Sequence, residues 1–380
     1  MADTHPTPIF DAKVVYVYSD MPSYSRAKKT LELFRDLFRE VHFVGTRRHM
    51  AWDEYEPDGI TCHFNPRVLG SGLGTIPDVA RFYGFIRSKL NEIKPDVVVA
   101  VNEEYILPFT LGLMKKPPHL VLDLYDSIGM RIAGKGRRLR PLFRAVSMAT
   151  MLTPDALVEV TEQRLNWHPY KPDVTSVVFN SPPRYPDISP LPGLPEKFLY
   201  VAGTLEDKIH GIEPLYAALE QVQDMQVLVT GLPKGKFVES TFLKHPRVTY
   251  LGRRPYEEVP RIAAASSGVY MHYNPVRLNY VYGAPNKLYE AMQVGVPVLI
   301  NREDKISADV LATGFGYVSP FGDADALAAD LRMLLSPSDE LRAGCKRAQE
   351  IFEHEYEWNV MARERYTALF RQLRVNETRV

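Results

Sequence analysis

One rhythm, played twice, limits the fold of this chain more than any other feature. Short apolar runs alternate with amphipathic stretches from Lys13 to Phe179, stop at a proline-crowded segment, and resume at Phe198. Buried runs at strand length, separated by helical spacing, predict parallel sheets with helices on their faces. In the first half the expected strands are Lys13 to Tyr18, Val41 to Gly45, Asp96 to Val101, His119 to Leu124, Ala156 to Thr161 and Val174 to Phe179. The expected helices are Ser25 to Arg39, Phe82 to Ile93 and Arg137 to Met151. In the second half the strands are Phe198 to Ala202, Gln226 to Thr230, Val248 to Leu251, Gly268 to His272, Val296 to Ile300 and Phe315 to Val318. Pro214 to Gln221, Val259 to Ala265, Ala324 to Leu335 and Asp339 to Phe370 have helical spacing.

Between the halves, Asn180 to Pro195 carries Pro182, Pro183, Pro186, Pro190, Pro192 and Pro195, a stiff linker. A length of 380 residues exceeds what one core usually supports. The expected fold class is therefore α/β, with two Rossmann-like, doubly wound parallel-sheet domains facing a central cleft. The first spans 1–182 and the second 183–355. Clefts between such halves are where ligands bind.

The formal charge is zero, so no global field draws the chain to nucleic acid or membrane. Cys62 and Cys345 suggest no disulfide framework and match no metal spacing. Met1 to Phe10 has no signal-peptide core, and no apolar run approaches membrane-spanning length. The expected location is cytoplasmic, with peripheral contact at the inner membrane face. The basis for that contact is local. No acid lies between Asp126 and Asp155, whereas Arg131, Lys135, Arg137, Arg138, Arg140 and Arg144 do, interleaved with Leu139, Leu142, Phe143 and Val146. Such a stretch suits an anionic lipid surface, a polyanion, or a helix packed on the sheet with a solvated face.

The densest chemistry lies between Ala284 and Ile300. Pro285 and Asn286 open a short helix with Asn286 as N-cap, Leu288, Ala291 and Met292 share an apolar face, and Gly295 ends it. Lys287 and Glu290 lie three apart on one side. A cation in the first turn, beside free backbone N–H groups, suits phosphate, and a carboxylate one turn on suits ribose hydroxyls. The same spacing also fits an ordinary amphipathic helix with a surface ion pair.

Three further segments follow strand ends. Gly203, Thr204 and Lys208 lie in the turn after the first strand of the second half, where α/β domains receive phosphate, or in a plain loop. Asp20 and Arg26 follow the first strand of the chain, and Arg26 can contact phosphate or acceptor, or lie on the surface. Asp126 ends the His119 strand and is a candidate base, or a cap for the Ser127 and Ile128 amides. Glu103 and Glu104 sit similarly after Val101. Gly70 to Gly74 has no strand–helix pair around it and is set aside. His210, His272 and Tyr273 fall near strand ends and fit structural roles.

With these residues laid out, the chain resembles the GT-B glycosyltransferases, most closely the family-4 nucleotide-sugar-dependent group. The similarity runs through Ala156 to Gln163, Val177 to Pro183, Arg247 to Tyr256, Pro285 to Met292 with Gly295 to Val298, and Tyr356 to Trp358. The resemblance implies transfer of a sugar from a nucleoside-diphosphate donor to a polysaccharide, oligosaccharide or lipid-linked acceptor, with no metal and no cofactor. It implies that Glu290 holds the donor ribose and that Lys287, Asn286 and Lys208 hold the diphosphate. Gly203, Thr204 and Leu288 complete the donor set, and Tyr282, Gly283 and Ala284 face the sugar. It further implies that residues 356–380 form a segment crossing back to the first domain. Two positions depart from the pattern. Tyr282 stands where many members have a second glutamate, and Asp20 to Arg26 replaces a glycine-rich loop. An inverting relative would need a first-domain base, for which Asp126 is the candidate. A nucleotide-sugar 2-epimerase of the same shape, or a catalytically silent nucleotide-sugar-binding subunit, are the alternatives.

Overall fold

The computed structural model describes residues 7–19, 25–46, 57–66, 76–132 and 140–379. It divides into two compact units, 1–178 with 362–380, and 179–361. The first unit ends at Val178 rather than at 182, and the chain returns to it at Ala362 rather than at 356.

The first unit holds seven strands: β1 (Phe10–Val17), β2 (Phe38–Thr46), β3 (Thr61–Asn65), β4 (Val97–Val101), β5 (His119–Asp123), β6 (Ala156–Glu159) and β7 (Val174–Val177). Their order is β3-β2-β1-β4-β5-β6-β7, all parallel. The continuous apolar runs of β1 and β4 become central strands buried on both faces, as a helix-covered parallel sheet requires. Strand β3 was not expected. Its residues Thr61, Cys62, His63 and Phe64 are exposed or half-buried at the sheet edge, so they carry no apolar run to read.

Residues after Ala362 belong to this core. Phe370 packs edge-on against Phe38 at 4.9 Å, Phe34 at 5.7 Å and Phe10 at 5.8 Å. Offset and edge-on aromatic pairs add to the area they bury. Arg363 pairs with Asp36, and the Tyr366 hydroxyl donates to Asp123.

The second unit holds β8 (Phe198–Glu206), β9 (Gln226–Lys234), β10 (Val248–Tyr250), β11 (Gly268–Met271), β12 (Val298–Asn301) and β13 (Gly316–Ser319). Their order is β10-β9-β8-β11-β12-β13, again all parallel. Strand β8 runs four residues beyond its expected end at Ala202. Gly203 pairs with Gly231 and Thr204 with Leu232, so these residues continue a ladder rather than form a turn. The backbones meet so closely that a Cβ on Gly231 would lie 2.0 Å from the Gly203 carbonyl oxygen. Gly203 (φ 95°) and Gly231 (φ 115°) both occupy backbone conformations that side chains disfavour. The turn itself starts at Asp207, whose carboxylate accepts from the Phe237 and Val238 amides.

Candidate functional site

The helix Asn286–Val294 is the centre of the second unit's candidate site. Its N-cap is Pro285, not Asn286, and no side chain caps it. Proline cannot donate, and its fixed φ suits the entry to a helix. Gly295 closes the helix in the left-handed conformation, φ 68°. Leu288, Tyr289, Ala291 and Met292 are buried in the core. The face of Leu288 thus packs inward.

Lys287 and Glu290 do not form the surface ion pair that their spacing allows. The Lys287 ammonium donates to the Ala202 carbonyl at 2.9 Å and lies 5.4 Å from the centre of the Tyr273 ring. Burial pulls its pKa down to about 8, with Glu290 opposing. Glu290 is only 6 % exposed, with the Tyr256 hydroxyl 3.4 Å from its Oε1. The desolvated ammonium suits an anionic group, and the buried carboxylate one turn on suits a hydroxyl donor.

Lys287 lines a small, shallow recess together with Ala202, Thr204, His210, Tyr270, His272 and Tyr273. Of the expected donor residues, then, Thr204 and Lys287 line one cavity. Gly203 and Lys208 are exposed, and Lys208 takes a left-handed φ of 64° while its carbonyl accepts from Asn274. Tyr282 is half-buried with the Lys305 ammonium 6.0 Å from its ring centre. Gly283 tolerates no side chain, because a Cβ would meet the Asn279 carbonyl at 2.6 Å. Ala284 is buried.

His210, Tyr273, Tyr256 and Tyr185 had no place in the expected site. Tyr256 packs edge-on against Tyr185 at 5.7 Å, and the Tyr185 amide donates to Gln293 on the same helix as Glu290. Gln293 also donates to the Pro183 carbonyl, so this helix anchors the proline-rich segment within its own unit. Tyr256 does lie in the Arg247 to Tyr256 block that carries the resemblance, and that was the available signal. His210 offered none beyond its place after a strand.

The first-unit candidates separate sharply. Asp20 lies outside the described residues. Arg26 is 1 % exposed, ion-paired with Asp123 at 2.9 Å and donating to the Val178 carbonyl. It is a core residue, not a contact for phosphate or acceptor, because two interior acceptors already claim its guanidinium. Burial pushes Asp123 up, and Arg26 and Tyr366 oppose this. Glu103 is likewise interior. It starts a helix and accepts from the Ile128 amide and the Ser147 hydroxyl. Thus Glu103, not Asp126, receives the Ile128 amide. Asp126 is exposed, and its own amide donates to Asn102 at 2.9 Å. A strained Asn102, φ 70°, holds both the Tyr125 and Asp126 amides and so fixes the backbone at Asp126. Of the basic stretch, Lys135, Arg137 and Arg138 lie outside the described residues. Arg131 and Arg140 sit in helices, and Arg144 is exposed.

Residues 196–337 match the family model described as Glycosyl transferases group 1. WcaL of Escherichia coli (strain K12), a protein named for colanic acid biosynthesis, is 40 % identical over 83 residues; that match spans 22 % of this chain and 20 % of the relative's own length. Among solved structures, the sucrose-phosphate synthase of Thermosynechococcus elongatus superposes with a TM-score of 0.75 at 15 % identity, over 95 % of this chain and 98 % of that one. WaaG, a glycosyltransferase involved in lipopolysaccharide biosynthesis, gives 0.67 at 17 % identity, over 92 % and 98 %. HepE of Anabaena, solved in complex with UDP-glucose, gives 0.67 at 15 % identity, over 95 % and 100 %. The chain has the GT-B fold, and within its second unit residues 196–337 are similar to the glycosyl transferases group 1 family.

Proposed function

We propose that this chain is a glycosyltransferase that moves a sugar from a nucleoside-diphosphate donor to a saccharide or lipid-linked acceptor. One observation carries the reading: Lys287 stands in the first turn of an uncapped helix whose next turn presents the buried Glu290. Breaking the anomeric bond leaves charge on a diphosphate, and an ammonium beside a helix start stabilises it as it develops. In this reading Glu290 accepts from ribose hydroxyls, and Lys208 and Asn286 are assigned to the diphosphate. Lys287 and the helix start carry the leaving group's charge, and no metal is assigned to it. Asp126, exposed after β5, is the proposed base or acceptor-positioning group.

A peripheral membrane contact is part of the proposal. On the helix Arg140–Leu152, Arg144 is exposed together with Leu142 (60 %) and Leu152 (56 %). Leu111 and Leu113, after a helix that packs against it, are 61 % and 56 % exposed. Apolar side chains beside cations are what an anionic lipid surface binds. No described helix is long and apolar enough to cross a membrane. The proposed place of action is the cytoplasmic membrane face.

The test is a thermal-shift panel of nucleotide sugars, followed by transfer assays with the donor it identifies. Donor-dependent stabilisation and acceptor-dependent turnover support the reading. Donor turnover without acceptor supports an epimerase instead, and binding with neither reaction supports a silent binding subunit.

A further inference from the structure

His210 sits in the recess with Lys287 through a four-residue turn. Lys208 takes its left-handed φ, Ile209 and His210 both donate to the Glu206 carbonyl, and the ring folds back over the Glu206 amide. That amide donates to His210 Nδ1 at 2.9 Å. Because Nδ1 accepts, the neutral ring carries its proton on Nε2. The ring is held edge-on between Tyr273 at 5.4 Å and Tyr280 at 6.1 Å. No described residue takes a hydrogen bond from Nε2, and the residue lines the open recess beside Thr204 and Lys287. Its neighbour His272 differs. That ring is 2 % exposed and stacked on Tyr270 at 5.0 Å, with Nε2 3.5 Å from the Ser319 hydroxyl.

We propose that His210 is a donor-binding residue whose Nε2–H donates to a phosphate oxygen of a bound nucleoside diphosphate, alongside the Lys287 ammonium. The proposal rests on the nucleotide-sugar reading and adds a residue to it. A fixed N–H next to an ammonium excludes a cation or metal as the ligand, since Nε2 is protonated and the ammonium repels. It suits an anion that needs one direction and one charge, as a phosphate oxygen does. Burial, with the charges of Lys287 and Arg277, holds His210 down to about pKa 4, so the donor is neutral and its protonation constant across physiological pH.

Two variants separate the ring's two nitrogens. Asparagine can place Oδ1 where Nδ1 accepts from Glu206 but has no donor at the Nε2 position. Glutamine supplies that donor and loses the acceptor. Calorimetric titration with UDP, GDP and ADP identifies the nucleotide that wild type binds, and that nucleotide is then used throughout. His210→Asn should lose roughly 10- to 100-fold in affinity, the scale of a hydrogen bond to a charged group. His210→Gln should stay within about threefold of wild type on the same scale. Equal losses in both variants, or no loss in His210→Asn, would overturn the assignment while leaving nucleotide binding intact. A wild-type chain that binds none of the three overturns the nucleotide reading and this inference with it. Should either variant fold poorly, the imidazole Nε2–H resonance of wild type decides: it should shift when the nucleotide is added, and a stationary signal contradicts the contact.

Discussion

The Lys287 ammonium donates to the Ala202 carbonyl at 2.9 Å, joining the start of a helix to strand β8. The bond holds a cation in the lining of the recess, already stripped of water by burial.

This placement makes phosphate binding pH-dependent. Lys287 titrates near pH 8 in the folded protein, against about 10.4 when unfolded. Nucleoside-diphosphate affinity should be highest below pH 8 and fall as pH rises through it. Binding of UDP-glucose, whose diphosphate does not titrate near neutral pH, should take up almost no proton at pH 6.5 and a measurable fraction of one at pH 9, read by calorimetry in two buffers. Lys287→Met should weaken binding and abolish that uptake. Stability runs the other way. Between pH 8 and about 10 the unfolded chain binds more protons at this lysine, so its contribution to folding stability rises with pH.

Gly231 controls whether β8 and β9 can continue side by side to Glu206 and Lys234. Gly231→Ala puts a methyl group into the Gly203 carbonyl at an unfavourable φ. The expected cost is at least about 2 kcal/mol from clash and backbone strain together. Urea denaturation measures it, and a loss of nucleotide affinity should accompany it, because the Asp207–His210 turn follows directly.

Arg26 and Asp123 form an ion pair with 1 % and 0 % side-chain exposure. Arg26→Met strands the Asp123 carboxylate beside Tyr366 and should cost about 3–5 kcal/mol, the scale for breaking a buried pair. The double variant Arg26→Met/Asp123→Asn should recover part of that loss in the same urea titration. A single variant with wild-type stability would show that the pair carries nothing.

The fold was legible in the chain because its central strands are near-continuous apolar runs. Val97–Val101 and Phe198–Ala202 announce themselves, whereas the edge strand Thr61–Asn65 does not. The site was legible only where spacing alone sets geometry. Lys287 and Glu290 are one turn apart in any helix, so their shared side was readable, but their burial was not. Arg26 and Asp126 both follow strands, and nothing local distinguishes the residue that meets a buried partner from the one left exposed. The partner of Arg26, Asp123, is 97 residues away. His210 was obscure for a related reason: its role depends on a turn set by a left-handed lysine, a conformation that sequence rarely signals.

The exposed leucines of the helix that carries Arg144 predict membrane affinity. Leu142→Asp with Arg144→Glu should lower co-sedimentation with vesicles rich in anionic phospholipid, and raised salt should weaken the wild-type interaction. Unchanged sedimentation of the double variant would remove the lipid surface from the proposal. Folding should be unaffected, since both side chains already face solvent.

In the reading proposed for this chain, the turn of helix from Lys287 to Glu290 grips the nucleotide of a sugar donor. Calorimetric titration of wild type and Glu290→Ala with UDP-glucose and UDP tests it most directly, with unfolding midpoints measured on both proteins. Wild type should bind both ligands, and the variant should lose about 1–3 kcal/mol for each, the scale of hydrogen bonds to a charged group. A folded Glu290→Ala protein with wild-type affinity would contradict it.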